Sequence, residues 1–144
     1  MMTATGKLQA LEISRNGVPV AVLNQSKGTF TLDGQTYTVR RIGIHRSYEL
    51  RRDGDMVAFA KGVPFVNRSH VTLGDKSLLL KAENFRATRF GLYDGETRIG
   101  GVTPAGWFRP WNGATIDMPD TLPLEAQLFV TAMVVDTWGE GSST

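Results

Sequence analysis

The chain contains no cysteine, so it has no thiolate nucleophile, thiolate metal ligand or disulfide. Its only histidines, His45 and His70, fall in no metal-ligand spacing, and both read as solvated strand residues. Ser69 precedes His70, but neighbours on a strand point to opposite faces and make no nucleophile and base pair. Asp53 and Asp55 flank Gly54 and read as turn residues rather than a carboxylate dyad. Gly100 and Gly101 open no helix, so they form no phosphate-cradling loop of the helix N-terminal kind. These patterns predict no catalytic residue, no metal site and no cofactor. The expectation is a protein that is not an enzyme.

Binding chemistry is better represented. Between Arg40 and Arg52 lie five arginines, Arg40, Arg41, Arg46, Arg51 and Arg52, against the single acid Glu49. Planar guanidinium forks suit phosphate groups, which makes these five the candidate anion site. If Ile42, Ile44, Tyr48 and Leu50 face the core as one parity, Arg41, His45, Glu49 and Arg51 face solvent. The same arginines also read as a solvated strand pair that neutralises acids elsewhere in the fold. Only Tyr48 interleaves with them, too little stacking surface for nucleic acid. A second candidate surface is aromatic: Trp107, Phe108 and Trp111 surround Arg109 and Pro110. Such a cluster can form a protein contact, a membrane-surface wedge or a plug at the end of a barrel.

Strands must position these residues. Asn16-Gly17, Asp33-Gly34, Asp53-Gly54, Asp94-Gly95 and Asn112-Gly113 tolerate the positive φ of tight hairpins, and Gly74-Asp75 fills the longest gap between them. A turn about every 20 residues corresponds to two strands of ordinary length with their connections. Between the turns lie alternating segments such as Phe30 to Leu32, Tyr37 to Val39, Tyr48 to Leu50 and Val71 to Leu73. Phe30 to Gly34, Tyr48 to Gly54 and Phe90 to Gly95 look alike, which predicts equivalent hairpins.

The last segment follows a different rule. Pro123 suits a first helical residue, Glu125 suits the positive end of a helix dipole, and Gly139 suits a stop, predicting a helix over about 123–138. From Leu128 to Val135 it carries no charge on any side, and Thr131 can bond a carbonyl one turn back. A helix apolar all round and too short for a bilayer is enclosed by protein. The predicted fold is therefore mostly β: one domain over 1–144, with about 10–12 antiparallel strands over about 7–118, curled into a barrel around a buried C-terminal hydrophobic helix.

That architecture resembles the tubby-like superfamily, which includes tubby proteins, phospholipid scramblases and the LURP-one-related proteins. Phe90 to Val102 is similar to the scramblase and LURP-one hairpin, with an aromatic strand, a glycine turn and an Ile99-Gly100-Gly101-Val102 strand. Ile116 to Pro119, Leu122 to Leu124 and the apolar helix ending in Val134, Val135 and Asp136 resemble the final strand and central helix of that fold. The proline-rich and cysteine-rich segments of mammalian scramblases are missing. Asp117 and Asp120 alone do not make a calcium loop, so scramblase activity is not implied. What the resemblance implies is a binding domain for anionic headgroups through a basic barrel surface, with no individual position carried over.

Charge and length agree with that class. All sixteen Lys and Arg and nine acids lie at or before Arg109, giving +7, while five acids and no Lys or Arg follow, giving −5. The opening residues Met1 to Lys7 lack the basic start and apolar core of a secretory leader, and the longest uncharged apolar stretch, Ala126 to Val135, is too short to span a bilayer. The expected location is the cytoplasm, with a peripheral position at the membrane if the partner is an anionic phospholipid. The other expected partner is a protein, bound at Trp107, Phe108 and Trp111; no nucleic acid and no transmembrane segment are expected.

Overall fold

A computed structural model describes residues 2–7, 10–43, 47–64, 66–84, 86–104 and 113–142. Twelve strands run in chain order: β1 (Met2–Lys7), β2 (Ala10–Arg15), β3 (Val18–Asn24), β4 (Thr29–Leu32), β5 (Gln35–Ile42), β6 (Ser47–Arg52), β7 (Asp55–Gly62), β8 (Arg68–Leu73), β9 (Lys76–Ala82), β10 (Phe90–Asp94), β11 (Thr97–Pro104) and β12 (Ala114–Asp117). One helix follows, α1 (Leu124–Ser142). Every strand pairs antiparallel with its neighbours in sequence, and β1 closes the ring on β12 through Met2↔Ile116, Thr3↔Thr115 and Ala4↔Ala114.

A strict up-and-down order sends alternate connections to opposite ends of the barrel. At one end β2–β3, β4–β5, β6–β7, β8–β9 and β10–β11 are each joined by two residues. Asn16, Asp33 and Asp53 have φ of 52°, 49° and 52°, each followed by a glycine of positive φ, the geometry in which the turn twist matches that of the strands. The opposite end carries the longer connections 25–28, 43–46, 63–67, 83–89 and 105–113. Nine residues, 105–113, separate β11 from β12, and Asn112 of the expected Asn112-Gly113 turn lies outside the described residues. The three similar segments are equivalent: β4, β6 and β10 all run toward the tight-turn end, and each begins near the other end with a buried aromatic, Phe30, Tyr48 or Phe90.

Ten consecutive helix residues, Ala126 to Val135, are buried, including Gln127 and Thr131. Only a helix enclosed on every side shows this. An eight-stranded barrel is filled by its own side chains; twelve strands leave a wider bore, and a helix about 10 Å across occupies it. Leu11, Ile13, Leu23, Phe30, Leu50, Val71, Leu92 and Val102 line the wall facing it. The two buried polar side chains stay satisfied: Gln127 Nε2 donates to Leu122 O at 2.9 Å, and Thr131 Oγ1 to Gln127 O at 2.8 Å, one turn back as the sequence predicts. The helix passes the expected stop at Gly139 and runs to Ser142, since glycine weakens a helix by about 1 kcal/mol without forbidding it. No helix among the described residues is long and apolar enough to cross a membrane.

Met133 lies inside the bore with 2% of its surface exposed. A carboxylate there has no partner, and the penalty of several kcal/mol is comparable with the ~5–15 kcal/mol that holds a domain together. Met133→Asp is expected to abolish the cooperative thermal transition followed by circular dichroism. A variant that stays in solution and melts cooperatively would rule out the enclosed helix.

Candidate basic surfaces of the barrel

The candidate arginines belong to the β5–β6 hairpin, whose register pairs Tyr37↔Arg52, Val39↔Leu50, Arg40↔Glu49 and Arg41↔Tyr48. Directly opposed residues share a face, so Arg41 and Arg52 lie on the inner side with Tyr37, Tyr48 and Leu50, one at each end of the bore. Arg41 is therefore exposed, as expected, but at the mouth of the bore and on the opposite face of the hairpin from Arg51, and Ile42 does not face the core: it is 37% exposed. The physical reason is the connection 43–46, which separates two strands of independent parity where a single alternation was expected. Ile44, His45 and Arg46 lie outside the described residues.

The inward arginines hold the helix. At its N-terminal end the Tyr37 hydroxyl donates to Glu125 Oε2 at 2.7 Å, and Arg52 Nη1 donates to the Tyr37 oxygen at 3.4 Å. Burial, and then the bond to the Glu125 carboxylate, push the Tyr37 phenol up. At the other end the Tyr48 hydroxyl donates to Asp136 Oδ2 at 2.5 Å, and Arg41 Nη1 stands 3.9 Å from the same oxygen. Glu125, in the first turn, also lies at the positive end of the helix dipole, whereas Asp136 lies well inside the helix and relies on these partners. On the outer face Arg51 clasps Glu49, Nε to Oε1 at 2.9 Å and Nη2 to Oε2 at 3.2 Å, and Arg40 is exposed beside them. Most of the candidate anion site is thus engaged with the protein's own groups. Trp107, Phe108 and Trp111 lie outside the described residues.

A second basic surface, not foreseen from the sequence, lies on the outer face of β8–β11. Arg68, Lys81, Gly91 and Gly101 are register partners in one row across the four strands. Their outward orientation follows from the buried alternates Ser69, Leu80, Phe90 and Val102. The two paired glycines leave the sheet bare there. Added side-chain carbon would strike the Glu83 carboxylate at Gly91, and at Gly101 the Arg98 guanidinium and, at 2.6 Å, Phe90 O. On that floor Arg98 forks Glu83, Nε to Oε2 and Nη2 to Oε1 both at 2.9 Å, while the Tyr93 hydroxyl donates to Oε2. Lys81 Nζ stands 4.5 Å over the Tyr93 ring. With Arg68 and Arg89 these groups line an open, mostly polar cavity of about 530 Å³. Four cations face one acid.

The guanidinium of Arg98 holds the Glu83 carboxyl below its usual range, and that of Arg51 does the same for Glu49. Phosphate-type anions suit such a cavity, because forked and point-like donors converge from several strands. Among the described residues no three His, Asp or Glu gather as metal ligands. A window along the sequence misses the cavity because its cations are spread from position 68 to position 98. The available signal was the parity of Arg68 and Lys81 together with the small residues Gly91 and Gly101, which leave space on an outer face.

Charge is also divided between the two ends of the barrel. The tight turns carry Asp33, Asp53, Asp75 and Glu96, and the residues directly beside them are Asp55 and Asp94 together with Arg15, Arg52 and Lys76. Among the described residues, the connections at the other end carry Lys27, Arg86 and Arg89 against Glu83 alone. Comparison with protein-family models, curated proteins and solved structures finds no match for the chain.

Because both carboxyls ionise more readily in the folded protein than in the unfolded chain, their stabilisation is complete above the ordinary carboxylate value of 4.5 and is lost as pH falls through the lower folded values. The variant Glu49→Gln, Glu83→Gln is expected to lose less stability than the wild type on acidification below that value. Urea midpoints measured across the acid range provide the check, and parallel curves for the two proteins would contradict the assignment.

Proposed function

We propose that the chain is a non-enzymatic binding domain of tubby-like type that recognises anionic phospholipid headgroups. One observation carries this reading: Arg68, Lys81, Arg89 and Arg98 converge on a bare glycine floor around a single carboxylate. The site proposed here is this outer cavity; in the β5–β6 hairpin, Arg41, Arg51 and Arg52 are engaged in holding the fold. Support for the tubby-like assignment comes from the closed barrel with one C-terminal helix in its bore, the architecture that the resemblance in residues 90–138 implies.

The excess of Lys and Arg at the long-connection end favours an approach with that end toward an anionic surface, the acidic turns pointing away. In this reading the protein works in the cytoplasm, peripheral to the membrane. The alternative is a scaffold that binds a protein through Trp107, Phe108 and Trp111. Salt separates the two, since phosphate contacts weaken as ionic strength rises and an aromatic contact hardly changes.

Co-sedimentation with vesicles of phosphatidylcholine, alone or mixed with phosphatidic acid, is the test. Binding is expected only to the mixed vesicles, fading at high salt, and lost in Arg68→Ala, Arg89→Ala while Arg40→Ala retains it. Equal binding to both vesicle types, or to neither, would sink the headgroup reading and turn attention to the tryptophans.

A further inference from the structure

Glu83 occupies the position that a ligand anion would take. Its two oxygens use both the Nε and Nη2 donors of Arg98, the fork that a phosphate would otherwise engage, and its Oε2 also takes the Tyr93 proton. Around this pair stand Arg68, Lys81 and Arg89, none of which has an ion pair among the described residues. The cavity is therefore only partly neutralised by its own acid, with a surplus of three positive charges.

Glu83 does not belong to a strand. It opens the connection 83–89, whose backbone is braced independently of the carboxylate: Glu83 N donates to Arg89 O at 2.8 Å, while Asn84 Oδ1 accepts from Thr88 N at 3.0 Å and Arg89 N at 3.1 Å. The carboxylate can consequently leave Arg98 by rotation of its own side chain, with the connection in place. The Arg98 guanidinium lies over Gly101, in the space a side chain there would fill.

We propose that Glu83 is a resident competitor for the cavity: it fills the Arg98 fork in the free protein, and a phosphate group drawn in by Arg68, Lys81 and Arg89 displaces it. The inference rests on the headgroup-binding reading and adds a built-in brake to it. Weakly charged anions do not dislodge the carboxylate, whereas a clustered phosphate charge does. The same phosphate chemistry is available from a lipid headgroup or from a free phosphorylated molecule.

The experiment is calorimetric titration of wild type and Glu83→Gln with inorganic pyrophosphate, with phosphatidic acid vesicles as a second arm. The Arg98 Nε–H resonance is followed by NMR in the wild type. Glu83→Gln is expected to bind pyrophosphate about tenfold or more tightly, since it leaves the fork only one neutral acceptor and removes one like charge. The Arg98 resonance is expected to move as its acceptor changes. Equal or weaker binding by Glu83→Gln, with the wild type binding, overturns the brake and leaves the headgroup reading standing. No binding of pyrophosphate or vesicles by either protein overturns both. Tighter pyrophosphate binding by Glu83→Gln without vesicle binding by either protein supports the brake, overturns the headgroup reading and assigns the phosphate to a free molecule. If Glu83→Gln does not fold, the wild-type Arg98 resonance decides. Tyr93→Phe, which removes one hold on Glu83, is then expected to tighten binding to a smaller extent.

Discussion

A helix without a polar face has to be surrounded, and the rest of this structure is arranged around that requirement. Ala126 to Val135 bring ten buried residues into one segment, and no single sheet face or pair of helices covers all their sides. A wall of twelve strands, closed by β1 on β12, provides a bore of sufficient width. The dependence is mutual. Removal of the helix would leave the inner faces of twelve strands around an apolar void, and removal of the wall would expose the helix.

Polar contacts then fix where the helix sits along the bore. To the interlocking of core side chains, Tyr37 with Glu125 at one end and Tyr48 with Asp136 at the other add directional contacts that hold the depth and the rotation of α1. Arg52 and Arg41 complete the two contacts from the same β5–β6 hairpin, so the most basic stretch of the chain is largely committed to structure. Of the acids that follow Pro110, Glu125 and Asp136 make contact between helix and wall. The cavity on β8–β11 differs because its cations outnumber the acid they surround.

The sequence was most informative where one physical rule acts alone. Lack of charge on any side of Leu128 to Val135 predicts enclosure, and Asn16-Gly17, Asp33-Gly34 and Asp53-Gly54 mark turns because few other pairs tolerate two positive φ values in succession. It was least informative where register decides. The parity of Ile42 and Arg41 depends on how many residues join β5 to β6, a quantity that local alternation does not contain. Arg68 and Arg98 become neighbours only after four strands pair, so the candidate cavity is a product of topology and cannot be read from a charge run.

Native-state hydrogen exchange tests the central claim most directly. If helix and wall form one enclosed unit, the amides from Leu128 to Val135 exchange only through global unfolding, with the same free energy and the same urea dependence as the slowest amides of β6, β8 and β11. Helix amides that exchange readily while the strands stay protected would mean that the barrel stands without its core, and would contradict the account.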